Sequence, residues 1–501
     1  MAASTPRTYV GDDGYWDGKE STMTTTPTST NPYLSGNYGP VLQEVTATAA
    51  ELTVTGTIPA ELNGRYVRNG PNPLLAPDPD TYHWFVGDGM LHGLRLRDGR
   101  AEWYRNRWIR SGPVARALGE DPRSDRVHGG MDFGPNTNVI GHAGRTLALV
   151  EAGAMPYEVT GELETIGPYD FGGTLSGGYT AHPKKDPGTG ELIAVSYYFG
   201  WGNDVEVTVI SPEGRVTSSR KVAMGASVSL HDCAITPRYI VLYDLPVAFD
   251  MDAAMSGASF PYRWFDDYHA RIGLLPRNGG EGADGADGGE GADGDDSADG
   301  GDSADVVWHD VNPCYVFHTL NAFDDIDGGA GITLDVVRHP SMFRTSFLGP
   351  AEGTPTLQRW RVDGRGGPVK EEQLDDHGQE FPRTDERRLG LPYRYGYGVF
   401  ADQDADAVGT ENGIIRHDLV AGTSEVRRFG PTAQVGEAVF VPRSGDADES
   451  DGWLMALVYE GTTDVSSLYI LNAEDLSGSP QAVITLPQRV PVGFHGNWIP
   501  D

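Results

Sequence analysis

Of the 13 histidines in this 501-residue chain, four stand in strand-like, largely uncharged surroundings. They are His182 in GGYTAHPK, His231 in SVSLHDCAI, His318 in CYVFHTLNAF and His495 in PVGFHGNWIP. An imidazole inside a buried strand must find a partner for both ring nitrogens. A metal on one nitrogen and a hydrogen-bond acceptor on the other is one solution. Taken singly, each of the four could equally be a core histidine satisfied by its neighbours, and His92 in GMLHGLRL has the same look. His128, His269 and His377 have polar or charged neighbours and read as surface residues. The gaps between the four are 49, 87 and 177 residues; without a 28-residue acidic segment the middle gap is 59, and 177 is three times 59. Units of this length are slightly longer than common propeller repeats of roughly 40–50 residues. Ligands one, one and three such units apart could all point at a common axis.

The elements that would position them are strands. From about Tyr33 onward, apolar or alternating runs of a few residues, such as RTLALVEAG, ELIAVSYYFG, RYIVLYDLP and WLMALVYEG, are separated by Gly, Pro, Asp and Asn clusters. That is strand grammar with turn punctuation. The most helix-like stretch is PVARALGEDP at 113–122. An all-β fold of many short strands follows, and the length suits a propeller or several sandwiches. Two stretches depart from this texture. Residues 1–30 form a polar, Thr-rich leader, read as disordered, and residues 278–305 a Gly- and Asp-rich acidic insert, read as a disordered surface loop because it cannot bury enough apolar surface. A calcium-binding repeat is the alternative for the insert, but its spacing is irregular and each coil would need an apolar residue it lacks. The remainder, 31–501, reads as one domain.

Composition excludes other classes. With 38 basic and 72 acidic side chains the net charge is −34, which would repel a phosphate backbone, so nucleic acid is not an expected partner. Only Cys233 and Cys314 are present, too few for a disulfide framework or a cysteine zinc site, and they read as buried packing thiols. Lysine occurs only at 19, 184, 185, 221 and 370. This acidic, Lys-poor balance suits hydration in concentrated salt, where the Debye length falls to about 3 Å, or else reflects the coding bias of a GC-rich genome. The first 30 residues hold no secretory signal, and no apolar run approaches the roughly 20 residues of a membrane span. A cytoplasmic protein is expected, touching membranes only peripherally, with no obligate protein partner.

The motifs RNGPNP (68–73), HWFVGDGMLHGL (83–94), TAHPKKDPGTGEL (180–192), SLHDCAITPRYIVLYDLP (229–246), PCYVFHTLNAFDD (313–325), EFPR (380–383), GEAVFVPR (436–443) and GFHGNW (493–498) resemble, in order, those of the carotenoid cleavage oxygenase family. The resemblance covers about residues 33–500. It implies a seven-bladed β-propeller with one iron(II) per chain on the axis, capped on one face by loops and short helices. It also implies His182, His231, His318 and His495 as the iron ligands and catalytic centre, with Glu151, Glu380 and Glu437 accepting hydrogen bonds from three of those rings. Thr137 matches a residue whose methyl group crowds one coordination position, and Phe317 is expected to line the substrate tunnel. Where relatives often carry a Glu pair, this chain has Asp324 and Asp325.

The reaction so implied is cleavage of a double bond in a lipophilic polyene, a carotenoid or apocarotenoid, by O2 to give two carbonyl products. Both oxygen atoms end in product and no reducing cosubstrate is needed, so 2-oxoglutarate, flavin and haem are not expected. Lignostilbene-type relatives share these motifs but place a Lys directly before the glutamate matching Glu151; here that residue is Val150. Stilbene cleavage is therefore the runner-up. Isomerohydrolase chemistry on retinoid esters and a catalytically dead binding propeller are more distant alternatives.

Overall fold

The structure, a computed structural model, describes residues 31–124, 127–277, 306–325, 329–346, 348, 352–401 and 411–501. The expected leader (1–30) and acidic insert (278–305) lie outside the described residues. Seven antiparallel sheets ring one axis as the blades of a propeller, so the expected all-β, seven-bladed fold is what the chain adopts. Blade 2 is built from Asn138–His142, Arg145–Leu149, Tyr157–Val159 and Thr165–Pro168. The innermost strands of blades 3 to 7 are Lys184–Lys185, Ala234–Ile235, Tyr315–Asp324, Gly378–Thr384 and Val439–Pro442.

Blade 1 closes the ring. Its innermost strand, Gly496–Pro500, pairs with Gly64–Pro71 in a register running from Gly64↔Pro500 to Arg68↔Gly496. Blade 7 is closed from the other end of the chain, because Thr53–Gly56 pairs with Ala482–Thr485 as its outer strand. Each blade is covered on both faces by its neighbours, so its middle strands lose the alternation that a one-sided sheet would show. Leu192–Tyr197 is buried throughout and Ile332–His339 nearly so, whereas the outer strands Lys370–Gln373 and Thr53–Gly56 face solvent.

One face carries the cap. Its short elements include Pro32–Leu34, Gly36–Tyr38 and Trp84–Val86, whose Tyr33, Tyr38 and Trp84 pack with Tyr82 and Phe494. The helix expected near 113–122 is Gly112–Ala117, capped by the Ser111 hydroxyl, which accepts from the Val114 amide. It stops where Gly119 turns to φ +72°, a left-handed conformation that glycine adopts without penalty. No helix among the described residues is long and apolar enough to cross a membrane.

Candidate metal centre

Every blade sends one residue to the same end of the axis. Thr137 immediately precedes the innermost strand of blade 2; His182 and His231 lie just before those of blades 3 and 4. His318 is within that of blade 5 and Glu380 within that of blade 6. Glu437 precedes that of blade 7, and His495 directly precedes that of blade 1. The four histidines are thus one, one and three blades apart around the ring, as their spacing anticipates. Two of these positions are set by irregularities that turn a side chain out of the ladder. In blade 5 the register passes from Val316↔Arg338 to Thr319↔Val336, so Phe317 and His318 together face Val337. In blade 6 it passes from Glu380↔Val399 to Arg383↔Tyr397, and Phe381 inside that bulge has φ +52°. A non-glycine residue held there stores roughly 1–3 kcal/mol of strain.

The Nε2 atoms of His182, His231, His318 and His495 converge on one point. Neighbouring separations are 3.0 Å (His182–His231), 3.3 Å (His231–His318) and 3.1 Å (His318–His495), and all four lie within 4.8 Å of one another. The opposite ring nitrogens explain why. Nδ1 of His231 donates to Glu151 at 2.9 Å, Nδ1 of His318 to Glu380 at 2.6 Å and Nδ1 of His495 to Glu437 at 2.9 Å. With a proton held at each Nδ1, the Nε2 lone pairs of these three rings face one another. Lone pairs this close repel one another, whereas a cation between them draws all of them in. For a metal–nitrogen bond of about 2.1 Å, ligands at right angles are about 3.0 Å apart, the spacing seen here. The donor set therefore fits a metal ion.

Two of the carboxylates, Glu437 and Glu380, are held ionised by what surrounds them. Burial alone would raise the Glu437 carboxyl, but Arg383, 3.2 Å away, and the His495 ring carry it down to about 2. Burial acts on Glu380 in the same direction and is overcome by His318 and by His339, whose Nε2 donates to the other Glu380 oxygen at 2.8 Å. Its carboxyl lies well below the usual range. Burial pushes His495 down to about 4 despite Glu437, which keeps that ring neutral and available as a ligand.

A cavity of about 580 Å³ opens onto three of these imidazoles, His231, His318 and His495. Its wall includes Phe85, Phe133, Phe199, Phe249, Phe260 and Phe317, together with Thr137, Val150 and Glu151. Phe317 meets the His231 ring edge to face at 5.2 Å. Thr137 donates its hydroxyl to Asn136 Oδ1 at 2.9 Å, and Val150 is buried.

The structure thus gathers all ten residues singled out in the sequence at or around one centre. It also adds residues that the sequence reading passed over: His339 and Arg383 on the carboxylates, and Phe381, whose ring stacks on His318 at 5.3 Å. Arg383 lies in the EFPR motif three residues after Glu380, so its place in that motif was the available signal. His339, in VVRHPS, carried none. His92 is as buried as the four, but its Nδ1 meets the Tyr104 hydroxyl at 2.9 Å, away from the cluster. His128, read as a surface residue, is half-buried, bonded to the Gly153 carbonyl at 2.8 Å and packed on Tyr198 and Trp201. Asp324 forms an ion pair with Arg238 at 3.1 Å.

Residues 38–500 match the family described as RPE65, retinal pigment epithelial membrane protein. A carotenoid cleavage oxygenase from Mycobacterium tuberculosis is 43% identical, over 94% of this chain and 98% of that protein. The chain belongs to this oxygenase family. Solved structures agree with the assignment. Lignostilbene dioxygenase from Pseudomonas brassicacearum superposes with a TM-score of 0.80 at 28% identity, over 95% of this chain and all of that one. Cobalt-substituted apocarotenoid oxygenase from Synechocystis gives 0.78 at 27% identity, over 92% and 97%. The protein is a dioxygenase by family, and the four-histidine cluster of this oxygenase is the place where a metal fits.

Proposed function

We propose that this dioxygenase holds one iron(II) per chain through His182, His231, His318 and His495, and cleaves a double bond of a carotenoid or apocarotenoid with O2. Each carbon of the broken double bond takes one oxygen atom, giving aldehyde or ketone products with no external reductant. The observation that carries this reading is the aromatic cavity of about 580 Å³ ending on His231, His318 and His495, three of the four imidazoles that converge on one point. Iron(II), when bound, supplies the redox chemistry that lets dioxygen react with a closed-shell alkene. The chain's own residues do the rest. Glu151, Glu380 and Glu437 keep the Nδ1 protons in place and so keep the Nε2 lone pairs directed at the metal. Thr137, with its hydroxyl engaged by Asn136, has its methyl group left for the cavity. Phe317 and the other aromatic rings exclude water and hold a long apolar chain beside the centre; burial of that chain contributes about 25 cal/mol per Å².

A phenolic stilbene is the second reading, supported by the likeness to lignostilbene dioxygenase. Against it stands Val150, buried in the cavity wall before Glu151, which offers a phenol no hydrogen bond. An unpaired buried hydroxyl costs about 1–3 kcal/mol. The purified protein, assayed for iron and then with a panel of carotenoids, apocarotenoids and stilbenes by mass spectrometry, separates the two. Carotenoid or apocarotenoid cleavage is expected to exceed resveratrol-type cleavage by at least about tenfold in kcat/KM. Stilbene turnover with no polyene cleaved would promote the second reading.

Peripheral contact with a membrane, where such polyenes dissolve, is supported by the exposed Met251 and Met255. Their helix begins two residues after Phe249, a cavity residue stacked on Phe199. Co-sedimentation with neutral lipid vesicles, lost in Met251→Ser/Met255→Ser, tests this.

A further inference from the structure

Three of the four histidines are poorly held by the strands beside them. The innermost strands of blades 3 and 4 are only two residues long, with register pairs Lys184↔Ile193 and Lys185↔Leu192 in one and Ala234↔Val241 and Ile235↔Ile240 in the other. His182 and His231 precede these strands, and the His182 amide donates to the Thr180 hydroxyl at 3.2 Å instead of to a strand partner. His318 sits in the bulge opposite Val337.

One side chain links all three. The Asp232 side chain is 1% exposed and accepts from three donors. Its Oδ1 takes the Lys184 ammonium at 2.7 Å and the Cys233 amide at 2.8 Å; its Oδ2 takes the Thr319 amide at 2.8 Å. Lys184 lies two residues after His182, Asp232 directly follows His231, and Thr319 directly follows His318. The Thr319 hydroxyl is bonded in turn to Tyr243 at 2.6 Å, on the second strand of blade 4. We propose that Asp232 is a positioning residue that fixes His182, His231 and His318 relative to one another, and so sets metal affinity and ligand geometry without touching the metal. A carboxylate suits the place because all three partners are donors and one is charged; an amide would turn its NH2 toward one of them. The proposal rests on the assignment of the histidines as metal ligands and is independent of which alkene is cleaved.

The test uses metal-free full-length protein titrated with cobalt(II), whose d–d absorption reports ligand geometry, against a competing chelator. Asp232→Asn is expected to weaken cobalt binding about 10- to 100-fold, as other changes behind metal ligands do, and to shift the d–d bands. Lys184→Met should move both in the same direction by less. Asp335→Asn is the control: it breaks an equally buried pair, Asp335–Arg359 at 2.8 Å, whose carboxylate is bonded to Arg359 and Tyr393 and to none of the four histidines. It should lower the unfolding temperature and leave the cobalt spectrum unchanged. If Asp232→Asn behaves like that control, with wild-type affinity and bands, Asp232 is an ordinary structural ion pair and the proposal fails. Should Asp232→Asn not fold, Lys184→Met decides, and unchanged affinity and bands there overturn it. Wild-type protein that takes up no cobalt would remove the ligand assignment and this proposal together, a result distinct from an enzyme that binds metal but cleaves no polyene.

Discussion

His495 donates its backbone amide to the Thr137 carbonyl at 3.0 Å and accepts at its own carbonyl from the Asn69 amide at 2.9 Å. His182 and His231, across the axis, stand before two-residue strands and are tied through Asp232 and Lys184. The two sides of one ring therefore hold equivalent imidazoles by different means. On the blade 1 side, backbone pairing places the imidazole, and Arg383 serves the carboxylate behind it. On the blade 3 to 5 side, two-residue strands in blades 3 and 4 and a bulge in blade 5 leave the histidines free to approach the axis, and a buried ion pair restores the rigidity that the ladder does not provide. Charge substitutions should consequently disturb the two sides in different ways, geometry at one and stability at the other.

The largest effect is expected from the ligands themselves, where the sides should not differ. His182→Ala, His231→Ala, His318→Ala and His495→Ala should each lose bound iron or activity, measured by metal analysis of the purified protein alongside turnover. Full iron and full turnover in any of them would remove that residue from the site. Next comes Arg383→Met on the blade 1 side. It leaves Glu437, 3% exposed, without its guanidinium, and breaking one partner of a buried pair costs about 3–5 kcal/mol. Urea unfolding should show that loss, and an unchanged midpoint would refute the division drawn here. Glu437→Gln and Glu151→Gln should each lower activity on the order of 10- to 100-fold. The larger effect should fall at Glu437, which also accepts from the Gly496 amide at 3.0 Å. Equal effects at both positions would mean that Arg383 and Gly496 add nothing to ring orientation.

How these parts divide between legible and hidden follows the same physics. The four histidines were readable because an uncharged, strand-like context around an imidazole demands an explanation, and their one-one-three spacing survived in the sequence. His92 shows the limit of that signal: its context is as apolar, and only the Tyr104 hydroxyl across the hairpin distinguishes a satisfied histidine from a ligand. Asp232 had a signal that went unread, since an acid inside SLHDCAI can be buried only if it is paired. His128 reads as a surface residue from its polar and charged neighbours in DRVHGG, while Tyr198 and Trp201, which half-bury it, arrive from another blade. Bulges at His318 and Glu380 cannot be seen without knowing the opposing strand.

Smaller effects sharpen the picture on the blade 2 to 5 side. Val150→Lys should raise turnover of a phenolic stilbene relative to a carotenoid by about tenfold, the value of 1.4 kcal/mol, in a kcat/KM comparison. No change would mean that Val150 does not face the substrate. The smallest effect concerns Cys233 and Cys314, both free and buried, whose thiols burial pushes up to about 12. At pH 8 the thiolate fraction is about one in ten thousand, so neither should react with a disulfide reagent until the protein unfolds. Rapid labelling of the native protein would show that this side opens.

The pairing of Gly64–Pro71 with Gly496–Pro500 also has a consequence in time. A strand made early in synthesis must wait for one that ends at residue 500, and His495 leaves the ribosome only just before it. At about 5–20 residues per second that delay is on the order of tens of seconds. For that interval three histidines, an unclosed sheet edge and a half-built aromatic wall coexist in the nascent chain. The four imidazoles that could hold a metal ion come together only once the circle has shut.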